Sequence, residues 1–189
     1  TFDKHPMKVL RPGSAPLLLT SNRHKVRLLG KMQVDGCLLM PFTRRLAGLS
    51  PEAFVELLSA AMPTLTRVFV GENWRFGHRE EGDVAMLVKL AGRFLIKVTI
   101  VKPVLKAGKI VSSTRIRGEV AAGNLAEASN MLGRHFSILG TIVKGRAVGR
   151  KLGFPTANLE TRDEVLPPSG VYAVHAAIGN RIFNGAANV

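Results

Sequence analysis

The stretch VFVGENWRFGHREEGDVAMLVKLAGRFLIKVTIV, residues 68–101, reads as strand, loop, helix and strand in series. Val68-Phe69-Val70 is a short apolar run closed by Gly71, and Phe94 to Val101 is a second run of the same kind. Between them Asp83 stands where it can cap a helix carrying Met86, Leu87 and Leu90 on one face. Strands that are continuously apolar, with a helix between, argue for parallel pairing with both sheet faces covered. Upstream, Leu38-Leu39-Met40 reads as another short buried strand. Ser50-Pro51-Glu52 is a helix start, followed by Phe54, Leu57, Leu58, Ala61 and Met62 at the spacing of one apolar face and stopped by Pro63. The expectation is an α/β unit whose ligand lies beyond the carboxyl ends of its strands.

Downstream, two short helices are expected, Ser113 to Ala121 and Asn124 to Leu132. Asn124 with Glu127 three residues later is a variant of the capping box, and Gly133 suits the helix stop. After Gly133 the grammar changes. His135 to Lys144, Gly170 to Ile178 and Arg181 to Ala186 are β-rich, with Gly179-Asn180 placed for a hairpin turn. A boundary near Gly133 therefore separates an α/β domain, residues 1–133, from a β domain, residues 134–189.

The 189 residues are 46% hydrophobic and 21% charged, enough to bury a core and unlike a disordered chain. Lys89, Arg93, Lys97 and Lys102 interrupt the longest apolar runs, so neither a membrane-spanning helix nor a signal peptide is expected. The single Cys37 excludes an intrachain disulfide and a cysteine-based zinc site; it is expected in the core. A reducing cytoplasm follows as the expected compartment. The net charge of +14 is spread over both parts, 20 Lys/Arg against 10 Asp/Glu in residues 1–133 and 7 against 3 in residues 134–189. Such a surface attracts phosphates, on nucleotides or on polynucleotides. With no arginine-rich run and 6% aromatic residues, polynucleotide binding is disfavoured. The chain opens as if leaving a strand and closes on an apolar segment without a turn, so it reads as part of a longer protein.

Three motifs carry chemistry. Gly149-Arg150-Lys151-Leu152-Gly153-Phe154-Pro155-Thr156-Ala157-Asn158 combines small residues, two cations, a hydroxyl and an amide. Its glycines let N–H groups turn toward a phosphate, while the Thr156 hydroxyl and Asn158 carbonyl are hard oxygen ligands suited to Mg²⁺. Gly71-Glu72-Asn73-Trp74-Arg75-Phe76-Gly77 follows a strand. There Asn73 and Arg75 could meet a phosphate or ring edge, and the two aromatics could cover a ligand or tuck into the core. Ser112-Ser113-Thr114-Arg115-Ile116-Arg117 opens a helix, where hydroxyls, unpaired N–H groups and Arg117 can hold an anion or simply cap the helix. Asp3 and His5 leave a strand end together and could bind phosphate or metal, or serve the turn before Pro6. The five histidines have no metal-site spacing.

In order, these motifs resemble the prokaryotic bifunctional riboflavin kinase/FMN adenylyltransferases, also called FAD synthetases. Thr1–Leu10 is similar to their TFDPHP-x-x-VL segment, with Lys4 in place of proline, and residues 71–77 to GENFRFG. Gly82-Asp83 matches a helix start, Ser112–Arg117 the SSTRIR signature, Leu132-Gly133-Arg134 a module link, and Gly149–Asn158 and Gly170–Val174 the kinase module.

The resemblance implies a Rossmann-like nucleotidyltransferase domain followed by part of a β-barrel riboflavin kinase domain. It implies two reactions, riboflavin to FMN with ATP, and FMN plus ATP to FAD and pyrophosphate. By resemblance Thr156 and Asn158 bind MgATP for the kinase, with Gly149, Arg150 and Gly153 shaping the phosphate loop. Ser113, Thr114 and Arg117 hold ATP phosphates in the adenylyl step, Asn73 sits near the flavin–nucleotide junction, and Asp3 and His5 belong to the same site. The partners implied are small molecules, not a membrane, and a homo-oligomer is compatible with it. The family's HxGH-type motif and the kinase's general-base Glu fall outside residues 1–189, since Glu160 and Glu164 come too early; the chain alone is expected to be inactive. Alternatives are a member with one activity and a basic nucleic-acid-binding protein on this scaffold.

Overall fold

The computed structural model describes residues 1–145, 156–161 and 163–189. In chain order the helices are α1 (Pro6–Leu10), α2 (Asn22–Lys31), α3 (Arg44–Ala47), α4 (Pro51–Ala61), α5 (Val84–Gly92), α6 (Ser113–Ala121) and α7 (Leu125–Leu132). The strands are β1 (Arg67–Gly71), β2 (Lys97–Val101), β3 (Leu105–Lys106), β4 (Lys109–Ile110), β5 (Thr141–Val143), β6 (Asn158–Glu160), β7 (Val171–Ile178) and β8 (Arg181–Asn188). They group into two units, residues 1–16 with 38–110, and residues 17–37 with 111–189.

In the first unit β1 and β2 pair in parallel, Arg67 opposite Lys97 through Gly71 opposite Val101, so both strands end at one edge. Helix α5 connects them. It starts as its sequence demands, with Asp83 Oδ1 accepting from Met86 N at 2.8 Å, and α4 starts with Ser50 Oγ accepting from Ala53 N at 3.1 Å. Each cap satisfies a donor that the first turn cannot. The core gathers Val55, Phe76, Leu87, Leu90, Ala91 and Ile96, with Phe54, Val68, Val70, Trp74 and Val98 packed on it. Along β1, Val68 and Val70 are half-buried against this core while Phe69 on the other face is 64% exposed.

Three local expectations fail along the chain. Leu38-Leu39-Met40 is not a buried strand: Leu38 is 57% exposed, and only Met40 pairs, in an isolated parallel bridge to Phe2. Cys37 is half-buried rather than in the core. The Asn124–Glu127 capping box does not form. Asn124 Nδ2 donates instead to Glu119 Oε2 at 2.9 Å, and Glu127 is taken by Arg115. A charged partner outcompetes the local backbone donor.

In the second unit α6 and α7 pack around Ile116, Val120, Ala128, Met131 and Val165. Gly133 ends α7 in the left-handed region at φ 67°. Strands β5 and β6 pair antiparallel, as do β7 and β8, the latter joined through Gly179 at φ 59°. Glu164 and His24 are 6% and 5% exposed. Glu164 Oε1 accepts from Ser21 N at the start of α2, and the His24 ring Nε2 lies 3.1 Å from Ser137 Oγ. Among the described residues no helix is long and apolar enough to cross a membrane.

Candidate functional site

The parallel register sets where a ligand can sit in the first unit. Beyond the carboxyl ends of β1 and β2 lies a cavity of about 330 Å³, lined by Gly71 to Trp74 on one side and Val101 to Pro103 on the other. Its size is that of a small-ligand pocket. Asn73 is on its wall and exposed, where the sequence puts it. Trp74 and Phe76 do not cover it as a pair. Their rings stack on each other with centroids 4.7 Å apart, and Phe76 is 6% exposed in the core. The aromatic pair thus fixes the loop, and only Trp74 reaches the cavity.

The loop is held from behind. Phe76 N donates to Gly82 O at 3.1 Å and Gly82 N to Phe76 O at 2.8 Å. Gly77 sits at φ 77°, ψ −178°, and a Cβ there would come within 2.8 Å of Pro51. His78 N donates to Leu49 O at 2.7 Å, which fastens the loop to the start of α4.

Asp3 and His5, in the same unit, have structural duties. Asp3 Oδ1 accepts from Phe42 N at 2.9 Å, and His5 Nδ1 accepts from Met7 N at 3.2 Å as the cap of α1. The second unit holds Ser113, Thr114 and Arg117 at the start of α6. Ser112 is the cap, its Oγ accepting from Arg115 N at 3.2 Å. The N–H groups of Ser113 and Thr114 belong to the first turn and have no intrahelical acceptor. Arg117 Nη2 donates to Thr114 Oγ1 at 3.3 Å, so hydroxyl and guanidinium lie together at a helix N-terminus. Arg115 is turned away to Glu127 at 2.9 Å, tying α6 to α7.

In the kinase-type motif, Gly149, Arg150 and Gly153 lie outside the described residues. Thr156 and Asn158 are exposed, Asn158 opening β6 opposite Val143. The Asn158 amide occupies the space a Cβ on Gly145 would need, so Gly145 is the cradle for it. A hydroxyl and an amide carbonyl form a hard-oxygen donor set that fits Mg²⁺. Among the described residues no group of three His, Cys, Asp or Glu could hold a metal instead.

The sequence reading missed Lys102, which shares the cavity wall with Asn73. Its signal was its place directly after β2, at the edge where an α/β sheet takes ligands. It also missed the buried His24 and Glu164, whose Nδ1 and Oε2 have no hydrogen-bond partner among the described residues. Burial lowers the His24 pKa, and Arg134, Arg27 and Lys31 lower it further against the opposing pull of Glu164. Burial likewise lowers that of Arg134.

The FAD synthetase family model matches residues 1–115 and the riboflavin kinase model residues 132–189. The chain belongs to the FAD synthetase family. It is 36% identical over 189 residues to the bifunctional riboflavin kinase/FMN adenylyltransferase of Escherichia coli (strain K12), covering 100% of the chain and 60% of that relative. The namesake from Listeria monocytogenes is 36% identical over 192 residues, again 100% of the chain and 60% of the relative. A crystal structure from Streptococcus pneumoniae, described as a macrolide-efflux protein, matches with a TM-score of 0.84 and 30% identity, over 100% of this chain and 61% of that one. The chain spans about three fifths of the length of these family relatives. The α/β nucleotidyltransferase-type region followed by a flavokinase region is therefore the family's arrangement.

Proposed function

We propose that the protein containing this chain makes FAD in two steps, phosphorylating riboflavin with ATP and then adenylylating the FMN formed. The observation that carries the reading is the end-to-end likeness, over 189 residues, to relatives named for both activities. We place the module boundary near Gly133, at the start of the riboflavin kinase match that begins at residue 132 and past the FAD synthetase match that ends at residue 115. The cytoplasm is the compartment where both substrates would be met.

In the kinase step the 5′-hydroxyl oxygen of riboflavin bonds to the γ-phosphorus of ATP, the bond to ADP breaks, and the hydroxyl proton leaves. Thr156 and Asn158 would hold Mg²⁺, which when bound neutralises phosphate charge. Gly149, Arg150 and Gly153 would wrap the phosphates with N–H groups and a cation. In the adenylyl step a phosphate oxygen of FMN bonds to the α-phosphorus of ATP and pyrophosphate leaves. Asn73 orients the reacting ends at the sheet edge, while Ser113, Thr114 and Arg117 receive phosphate charge. Asp3 and His5 would contribute to ATP or flavin binding in the same step. Neither step requires a covalent enzyme intermediate, so positioning and electrostatics supply the rate.

The test is to follow flavins by chromatography after mixing the full-length protein with riboflavin and MgATP. FMN should appear first and FAD after it. Asn158→Ala should abolish FMN formation from riboflavin and leave FAD formation from supplied FMN intact. Absence of both products overturns the reading; FMN without FAD reduces it to a kinase.

A further inference from the structure

We propose that Lys102 is a specificity-determining residue of the adenylyl site, binding a phosphoryl group of an incoming substrate and so favouring phosphorylated over unphosphorylated ligands. This rests on the function proposed above. The cavity beyond β1 and β2 is lined by one cation, Lys102, and one carboxylate, Glu72, which are the residues that follow the two strand ends. Because Gly71 is opposite Val101 in the ladder, the two leave the sheet at the same level. They nevertheless do not pair with each other, and Lys102 meets no carboxylate among the described residues. An exposed lysine beside a cavity and not neutralised within the protein is a point charge available to an anion.

The surroundings give that charge a fixed origin. Pro103 follows Lys102 and restricts its backbone to extended conformations. Across the cavity Trp74, pinned by its stack on Phe76, offers an apolar wall, and Asn73 a neutral amide. An aromatic wall, an amide and a single cation suit a ring system that carries a phosphate. Riboflavin is uncharged and FMN is a dianion, so attraction to Lys102 separates the two. Glu72 on the same rim repels an anion that enters without reaching Lys102. The chemistry shared by FMN and ATP is the phosphoryl group, and either can be its source.

The experiment uses the full-length protein and compares wild type with Lys102→Met and Lys102→Arg. Dissociation constants for FMN and riboflavin are read at low salt, together with the KM for ATP in FAD formation from FMN and the rate of FMN formation from riboflavin. In Lys102→Met, FMN binding should weaken roughly tenfold, the worth of one charge-assisted hydrogen bond. Adenylyl-site binding of riboflavin should hold, the kinase rate should stay unchanged, and Lys102→Arg should recover most of the loss. A rise in the ATP KM instead, with FMN binding unmoved, also supports the proposal and assigns the phosphoryl group to ATP. Equal weakening of FMN and riboflavin marks a packing role and overturns it, as does no change in FMN binding and the ATP KM together. If the wild type forms no FAD from FMN, both the adenylyl function and this role fall; if it does and Lys102→Met matches it, this role falls alone.

Discussion

Replacing Gly77 by alanine should destabilise the first unit far more than one methyl group suggests. Two independent costs meet there. The backbone is at φ 77°, ψ −178°, a region that only glycine occupies readily, at about 1–3 kcal/mol for any other residue. The new Cβ would lie 2.8 Å from Pro51 N and Cγ and 2.9 Å from Cδ. Pro51 is buried at the first turn of α4 and part of a rigid ring, so relief requires backbone movement, at about 1–3 kcal/mol for overpacking. The total is about 2–6 kcal/mol. At roughly 2–4 °C per kcal/mol for a chain of this size, the midpoint should fall by about 4–24 °C.

The single tryptophan makes the assay local. Trp74 packs on the first unit's core, so its fluorescence during urea or thermal unfolding follows that unit without assuming that both melt together. Gly92→Ala is the control. It lies in α5 with nothing within 4 Å of the added Cβ, and alanine there should be neutral or stabilising by up to about 1 kcal/mol. If Gly77→Ala shifts the midpoint no more than Gly92→Ala does, the steric account of the loop is wrong. Function should follow stability, since Gly77 ends the loop whose other end lines the cavity.

Arg115→Met should cost up to about 1 kcal/mol through the lost 2.9 Å pair with Glu127, part-exposed at 21% and 39%, and a double-mutant cycle with Glu127→Gln should recover that coupling. The second unit should lose stability as the pH falls below 6.5, the ordinary histidine value. His24 is held neutral below that value in the folded chain, so the unfolded chain binds more protons there. The slope is at most about 1.4 kcal/mol per pH unit, and His24→Asn should flatten it in chemical unfolding measured from pH 7.5 to 5. Asn158→Ala and Lys102→Met add the two catalytic arms described above, each selective for one module.

What was legible in the sequence is what a few neighbouring residues decide among themselves. Ser50, Asp83 and Ser112 each accept from the N–H three residues on, so their helices start where a cap residue precedes an apolar face. Gly133 and Gly179 supply left-handed positions that a stop and a hairpin need. The failures share the opposite character. Leu38-Leu39-Met40 has the composition of a strand, but a strand exists only where a partner runs alongside, and only the Met40–Phe2 bridge forms. Glu127 has capping-box spacing, yet a guanidinium from the preceding helix reaches it first.

The candidate site divides along the same line. The placement of Asn73 was legible because its loop follows a strand, and that of Thr114 beside Arg117 because their spacing is helical. Lys102 was not, because a lone lysine after a strand has the same local pattern whether it is solvated or lines a cavity. Only the parallel register, which aligns Gly71 with Val101 across 30 residues of chain, turns that lysine and Asn73 into neighbours of one cavity. His24 and Glu164 needed the same kind of information over a greater separation, and each is buried by segments that its own sequence surroundings do not name. Where pairing between distant segments decides which charges face one another, the charge pattern gains its meaning only from the topology.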